Sequence, residues 1–262
     1  MKIVVCIKQV PSVETVKLDP RTNTLIRTGV PSVINPDDKA GLEAALQLRQ
    51  QVGGTVSVVT MGPAQADVAL REAMAMGADD AYLLSDRAFA GADTYATATV
   101  LAAALRKMEF DLIIAGRQAT DGETGQVGPQ IAERLGVPQV SYVEQLSAEG
   151  GNVVVRQSLE EQTRLLKLQM PCLITALPQL AEPRYMSTWG IVDAYDKAVT
   201  VWGLADLQEE LSADEVGLQG SPTRMLHTFG KQAKAAGTVC EDLSADEAVS
   251  AIMEKLIQWH II

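Results

Sequence analysis

Residues 116–128 read Gly-Arg-Gln-Ala-Thr-Asp-Gly-Glu-Thr-Gly-Gln-Val-Gly, and no other stretch of the chain is better equipped to hold a charged ligand. Its four glycines let backbone N–H groups come close to an anion. It runs into a helical pattern, expected from about Thr124 to Leu135, whose first N–H groups and dipole favour phosphate. Thr120, Thr124 and Gln126 add hydroxyl and amide groups. The same composition also suits an ordinary glycine-rich turn between strand and helix. The Gly-Lys-Ser/Thr ending of a P-loop is missing, and the glycine spacing is not the dinucleotide fingerprint.

A second helix start lies at Asp93-Thr94, read either as an N-cap pair or as a ligand-holding end. The preceding Ser85-Asp-Arg-Ala-Phe-Ala-Gly-Ala-Asp carries Arg87, Phe89 and Gly91, a combination able to clamp a planar anion. Met61-Gly62-Pro63 ends another strand with a tight turn. Catalytic carboxylates do not stand out: Asp37, Asp38, Asp121 and Glu123 each read equally as a cap or a solvated residue. The two histidines, His227 and His260, are both near the C-terminus, so a histidine triad or metal cage is not expected. Cys6, Cys172 and Cys240 are scattered and odd in number, which argues against a disulfide framework and fits a reducing cytoplasm. With no nucleophile–base pair, any chemistry falls to a bound redox cofactor.

These residues are positioned by alternating elements. Residues 3–7 form an unbroken apolar run, as in a strand buried on both faces; residues 55–60, 82–84, 112–115 and 139–143 repeat the signal. Helical patterns lie between them, one starting at Asn35-Pro36 with proline at the first helical position and ending at Gly53-Gly54. The alternation predicts an α/β fold: a doubly wound, mostly parallel Rossmann-like sheet with helices on both faces. Ligands then bind at the C-terminal strand edge where strand order reverses. If the first strand neighbours the fourth, the Lys8-Gln9-Val10-Pro11 loop and the 116–128 loop face each other there. Residues 152–157 and 163–169 predict a hairpin. After Leu177 prolines and glycines thin the pattern, and only residues 244–259 read as a helix. The expected organisation is a nucleotide-binding domain over residues 1–180 and an extended arm over 181–262 that packs on another chain. A net charge of −11 without a basic stripe argues against nucleic acid, and no run of 18 apolar residues suggests a membrane span.

Eight pieces, in order, give the chain a resemblance to a known family: Cys6-Ile-Lys-Gln-Val-Pro, Asn35-Pro-Asp-Asp, Met61-Gly-Pro-Ala-Gln, Ala75-Met-Gly-Ala-Asp, the run from Ala115 through Gly128, Lys167-Leu-Gln-Met-Pro-Cys, Glu182-Pro-Arg-Tyr and Gly220-Ser-Pro-Thr. Along nearly its whole length it resembles the small (β) subunit of electron-transfer flavoproteins. The resemblance implies a heterodimer with a larger α subunit, embraced by the C-terminal arm. Housekeeping members hold AMP as a structural ligand. Electron-bifurcating members hold a second FAD, which takes hydride from NADH and serves ferredoxin or flavodoxin as well as an acyl-CoA dehydrogenase-like or lactate dehydrogenase-like partner. The 85–97 and 116–129 segments resemble the bifurcating branch. Carried over by position, Cys6, Asn35, Met61 and Gly62 surround the adenosine end, and Thr124, Gly125, Gln126, Val127 and Gly128 hold phosphate. Gln118, Thr120 and Asp121 line the cleft. Asp93, Thr94 and Thr97 serve the flavin side, with Arg87, Phe89 and Gly91 shaping its mouth. A more distant likeness is to universal stress proteins, which share the layered fold but lack a long arm.

Two departures stand out. Arg164 occupies a position where the family has an acidic or amide residue that orients the partner's mobile domain. After Arg184-Tyr185 the text Met186-Ser-Thr-Trp-Gly-Ile-Val-Asp-Ala-Tyr-Asp-Lys replaces a hydrophobic anchor and lysine run, which implies a different docking partner.

Overall fold

The computed structural model describes residues 1–12, 17–18, 25–26, 31–224, 226, 237, 239 and 243–262. The chain divides into two compact units, Met1–Leu226 and His227–Ile262. In the first unit β1 (Lys2–Cys6), β2 (Gln9–Pro11), β3 (Lys17–Leu18), β4 (Leu25–Ile26) and β5 (Ser32–Ile34) precede α1 (Pro36–Val52). Then come β6 (Thr55–Met61), α2 (Asp67–Met76), β7 (Asp80–Leu84), α3 (Thr94–Arg106), β8 (Leu112–Gly116) and α4 (Val127–Leu135). The unit continues through β9 (Gln139–Glu149), β10 (Asn152–Ser158), β11 (Thr163–Gln169), β12 (Cys172–Ala176), α5 (Thr188–Asp196) and β13 (Thr200–Trp202). The second unit contains α6 (Ala245–Gln258), opened by a capping box in which Ser244 and Glu247 bond reciprocally.

Nine strands form one sheet in the order β11-β10-β9-β12-β8-β1-β6-β7-β13. From β9 to β13 across the sheet every pair is parallel; β10 and β11 add an antiparallel hairpin at one edge. The chain moves outward from β1 through β6 to β7, then returns to place β8 on the other side of β1. The reversal between β1 and β8 is the switch point expected from the sequence.

Side-chain alternation assigns the helices to faces. Ile3 and Val5 of β1, with Leu112 and Ile114 of β8, join α1 and α2 in one apolar core. Val4 and Cys6, with Ile113 and Ala115, join α3 and α4 in the other. Every one of these strand residues is at most 8% exposed, which is why β1 and β8 read as continuous apolar runs.

The thin pattern after Leu177 conceals two elements. α5 packs beside α2, with Ala194 buried at 1%, and β13 extends the sheet past β7. Leu207, Leu211 and Val216 also enter the second core. Residues 181–226 thus belong to the first unit, so the division at 226 differs from the boundary expected at residue 180. The pattern misled because α5 buries only one apolar residue and leaves most of its others in solvent. Among the described residues no helix is long and apolar enough to cross a membrane. His227 and Cys240 lie outside the described residues.

Candidate functional site

At the switch point the C-terminal ends of β1 and β8 feed two facing loops, and a glycine-rich turn carries the chain from β8 into α4. The turn is tight: Glu123 and Gly125 both adopt left-handed φ values, 50° and 64°. Regular helix therefore begins at Val127, three residues later than the sequence pattern suggested. No side chain caps α4, and its third residue, Pro129, has no N–H. The N–H groups of the first helical turn have no intrahelical partners and lie at the positive end of the dipole. Gly128 is there because space demands it: a Cβ would stand 2.6 Å from Thr175 Cγ2 on β12. Glycine lets the helix start press against the sheet edge.

Two polar atoms beside this helix start are buried without a partner in the structure, Thr120 Oγ1 and Gln130 Oε1. Unpaired buried polar atoms are costly, so a ligand or water that bonds them is stabilising. Thr94 Oγ1 at the start of α3 lies 3.1 Å from Gln126 Oε1, which brings the second helix start alongside the first. An anion-holding N-terminus, a second helix start beside it and a hydroxyl able to donate at Thr120 fit a phosphate-bearing nucleotide, whose own hydroxyls are the groups the Gln130 amide oxygen could accept from. Among the described residues no group of three acidic, cysteine or histidine side chains could hold a metal ion.

The remaining sequence-derived residues take varied places. Cys6 is buried at the end of β1, and desolvation, then the nearby Asp38 carboxylate, push its thiol up to about 12. It is a packing group here, not a thiolate. Met61 packs partly buried on the second core, and Gly62 N–H bonds Leu84 O at 3.0 Å, closing the turn after β6. Asp121 pairs with Lys8 Nζ at 2.7 Å and so joins the two loops. Arg87 is exposed. Thr97 lies one turn into α3, its N–H bonded to Asp93 O.

Phe89 departs from expectation, Gly91 meets a distant segment, and Asp93 takes the N-cap role that the sequence also offered. Phe89, expected at the cleft mouth, is only 4% exposed and sits in the second core with Leu207, Leu211 and Val216. It shapes the loop from beneath, because an apolar ring gains more from burial than from lining a wet cleft. Gly91 packs against Leu218. The Asp93 carboxylate accepts from Ala96 N at 3.0 Å as the α3 cap and from Thr223 N at 2.9 Å. Burial would raise this carboxyl, but those N–H bonds hold it below its ordinary value.

Asn35 precedes α1 without capping it. Its buried side chain donates to Gln118 O at 2.9 Å and accepts from Thr120 N at 3.1 Å. Asp37 and Asp38, which the sequence offered as caps or solvated residues, are 5% and 6% exposed. Asp38 accepts from Lys8 N at 2.7 Å and from Gly116 N at 2.9 Å. Asp37 lies 3.3 Å from Arg117 Nε, an ion pair without hydrogen-bond alignment. Burial raises the Asp37 carboxyl against that opposing charge.

Burial also raises Asp38, from 3.8 to about 7, despite its backbone donors. Because the folded state holds this proton more tightly than the unfolded chain, the stabilisation is complete below pH 4. It declines as pH rises and is lost above pH 7. Asp38→Asn removes that dependence. Between pH 5 and pH 8 the stability of wild type relative to the variant should fall by about 3 kcal/mol, read by denaturant unfolding at each pH. A difference that stays flat with pH would show that Asp38 titrates as an ordinary carboxylate.

Comparison with known proteins places the chain in a family. The electron transfer flavoprotein domain model matches residues 22–207. The chain is 51% identical to the electron transfer flavoprotein subunit beta of Thermoanaerobacterium thermosaccharolyticum, over 100% of both chains. It is 48% identical to the caffeyl-CoA reductase-Etf complex subunit CarD of Acetobacterium woodii, again over 100% of both. It is 41% identical to the acryloyl-CoA reductase electron transfer subunit gamma of Anaerotignum propionicum, over 100% of both.

Proposed function

From the premise that this chain belongs to the electron transfer flavoprotein family, as a β subunit, we propose that its switch-point cleft holds FAD and that the assembled protein bifurcates electrons from NADH. Family membership makes it an electron-transfer subunit that pairs with an α subunit, and it displaces the stress-protein reading.

The observation that carries the FAD reading is the adjacency of two helix starts, α3 and α4, joined through Thr94 and Gln126. A single helix start suffices for a monophosphate; two side by side suit a diphosphate. In this reading the first-turn N–H groups of α4 bind the phosphates, with Gly125, Gln126, Val127 and Gly128 supplying the backbone. Thr120, Thr124 and Gln118 add hydrogen bonds. Thr94 and Thr97 face the second half of the ligand from α3. The bound flavin would supply acceptance of hydride from NADH and delivery of single electrons, one toward ferredoxin or flavodoxin and one through the flavin of the α subunit. The chain's own part is to bind, orient and keep water from the diphosphate.

Partners follow from the surface. Tyr185, just before α5, is 100% exposed; Trp189 and Tyr195 on α5 are 78% and 67% exposed, with Ile191 and Val192 exposed beside them. Such a patch is a docking surface for a protein partner. The relatives named for caffeyl-CoA and acryloyl-CoA reduction support an acyl-CoA dehydrogenase-like enzyme over a lactate dehydrogenase-like one. The segment beyond residue 226, with Val249, Ile252, Met253 and Ile257 exposed along α6, is the arm that grips the α subunit. Arg164, itself exposed near the start of β11, meets the mobile part of that subunit. The complex works in the cytoplasm.

One observation favours AMP instead. Asp93 is fully engaged by Ala96 and Thr223, and Phe89 is buried, so the α3 side presents fewer free groups than the α4 side. Counting cofactors released from the purified αβ complex separates the readings. Two FAD per heterodimer and no AMP are expected; one FAD and one AMP would replace the bifurcating account with the housekeeping one.

A further inference from the structure

We infer that Asn35 and Asp38 are positioning residues: their buried side chains brace the two loops of the switch point and fix the arrangement in which the 116–120 segment receives nucleotide. The inference rests on the reading of this cleft as the nucleotide site; it gives Asn35, which the resemblance puts at the adenosine end, a bracing role and adds Asp38 beside it.

The geometry is specific. A helix start usually spends its polar side chains on its own N–H groups. Here Asn35 and Asp38 turn them outward to other segments. Asp38 bonds Lys8 N on the β1 loop and Gly116 N at the end of β8, at 2.7 and 2.9 Å. Asn35 bonds Gln118 O and Thr120 N, at 2.9 and 3.1 Å, while its own N–H bonds Lys8 O at 2.9 Å. Five hydrogen bonds from two side chains and one peptide thus join the first turn of α1 to both walls of the cleft. The fit leaves no slack at Gly116, where a Cβ would stand 2.1 Å from Asp38 Oδ1. Both side chains are sealed, Asn35 at 0% and Asp38 at 6% exposure, and the Asn35 side chain also lowers the Asp38 carboxyl by hydrogen bonding. What they present to the cleft is the loop itself, including the unpartnered Thr120 Oγ1.

Acceptor chemistry explains why a carboxylate is needed. Lys8 N and Gly116 N are both donors, and two carboxylate oxygens accept both. An amide in the same place offers one acceptor and turns an NH₂ toward the other donor. Asp38→Asn is nearly isosteric, yet it sets one wall loose. A loop correctly arranged only a tenth of the time binds ligand ten-fold more weakly.

The test uses the αβ complex, stripped of nucleotide, at pH 8. Dissociation constants for FAD and for AMP are measured separately, together with amide hydrogen exchange in the nucleotide-free complex. Asp38→Asn should weaken whichever nucleotide the wild type binds by ten-fold or more. It should speed exchange in residues 116–120 by a similar factor while β6 amides stay unchanged. Asn35→Ala, which removes the Gln118 and Thr120 bonds, should do the same at Thr120 and carries the test if Asp38→Asn does not assemble. Wild-type affinity in both variants, or weakened affinity without faster loop exchange, would overturn the brace. A wild-type complex that takes AMP in place of a second FAD would remove the bifurcating reading and leave the brace standing, read on AMP.

Discussion

Gly128→Val will deprive the cleft of its nucleotide. The residue sits at the second position of α4, buried against the sheet, and the first added carbon already stands 2.6 Å from Thr175 Cγ2. Thr175 is 1% exposed within β12, so it cannot retreat. Leu173 Cδ2 and Ala115 Cβ, each 3.7 Å from the same point, close the other directions. The helix start must lift, and the N–H groups that face the ligand lift with it. Losing two charge-assisted hydrogen bonds costs about 3 kcal/mol, roughly a hundred-fold in affinity. Overpacking costs a further 1–3 kcal/mol or so of stability. Equilibrium ultrafiltration of the αβ complex against FAD and AMP measures the first effect, and thermal unfolding the second. Retention of nucleotide at wild-type affinity would mean that α4 does not hold it.

Arg184→Ala should be the most destabilising surface-reaching substitution. Glu43 lies inside α1 with its side chain 4% exposed, and Arg184 grips both of its oxygens, at 2.7 and 2.9 Å. The Arg184 N–H adds a third bond at 3.2 Å. Burial alone would raise the Glu43 carboxyl; the guanidinium, Gln47 and that N–H bring it below its ordinary value instead. Removing the guanidinium leaves a buried charge uncompensated, at a cost of about 3–5 kcal/mol. The pair's contribution is present above the ordinary carboxylate pKa of 4.5 and is lost as pH falls through the lowered folded value, so wild type and variant should converge in acid. Replacing both residues with apolar ones of similar volume should recover most of the loss. Denaturant unfolding at pH 7 and at pH 3 reads all three expectations. Because Arg184 also anchors the chain just before Tyr185 and α5, the variant should weaken docking of whatever partner uses the proposed α5 surface.

The parts of the molecule that the sequence disclosed are those where one physical demand dominates. Strands buried on both faces favour unbroken apolar or β-branched runs, so β1 and β8 are legible from their apolar residues and β6 from its β-branched ones. Proline at position 36 and the glycine pair at 53–54 marked α1. The glycine-rich turn after β8 was legible because close backbone approach leaves few alternatives to glycine. Other features depend on contacts between distant segments. α5 went unread because it packs chiefly through Ala194 and through backbone capping, with Arg71 Nη1 bonding Ala194 O and Lys197 O at 2.6 and 2.5 Å. Phe89 reads as part of a ligand clamp because nothing local shows that Leu207 and Val216 return to cover it. Asp37 and Asp38 read as caps or solvated residues, since acidic side chains near a helix start usually are. Their partners, Arg117, Lys8 and Gly116, are brought to them only by the β1–β8 reversal. The signal that could have exposed Asp38 is the glycine ending β8, which is needed there to admit a carboxylate.

The claim on which the rest depends is that the backbone N–H groups at the start of α4, beside the start of α3, bind the diphosphate of a dinucleotide. The most direct measurement is a crystal structure of the assembled αβ complex purified with its native ligand. The account predicts diphosphate density within hydrogen-bond distance of the Val127 and Gly128 N–H groups, and a second phosphate toward Thr94. Density for the ligand elsewhere, or side chains filling the space in front of α4, would contradict it.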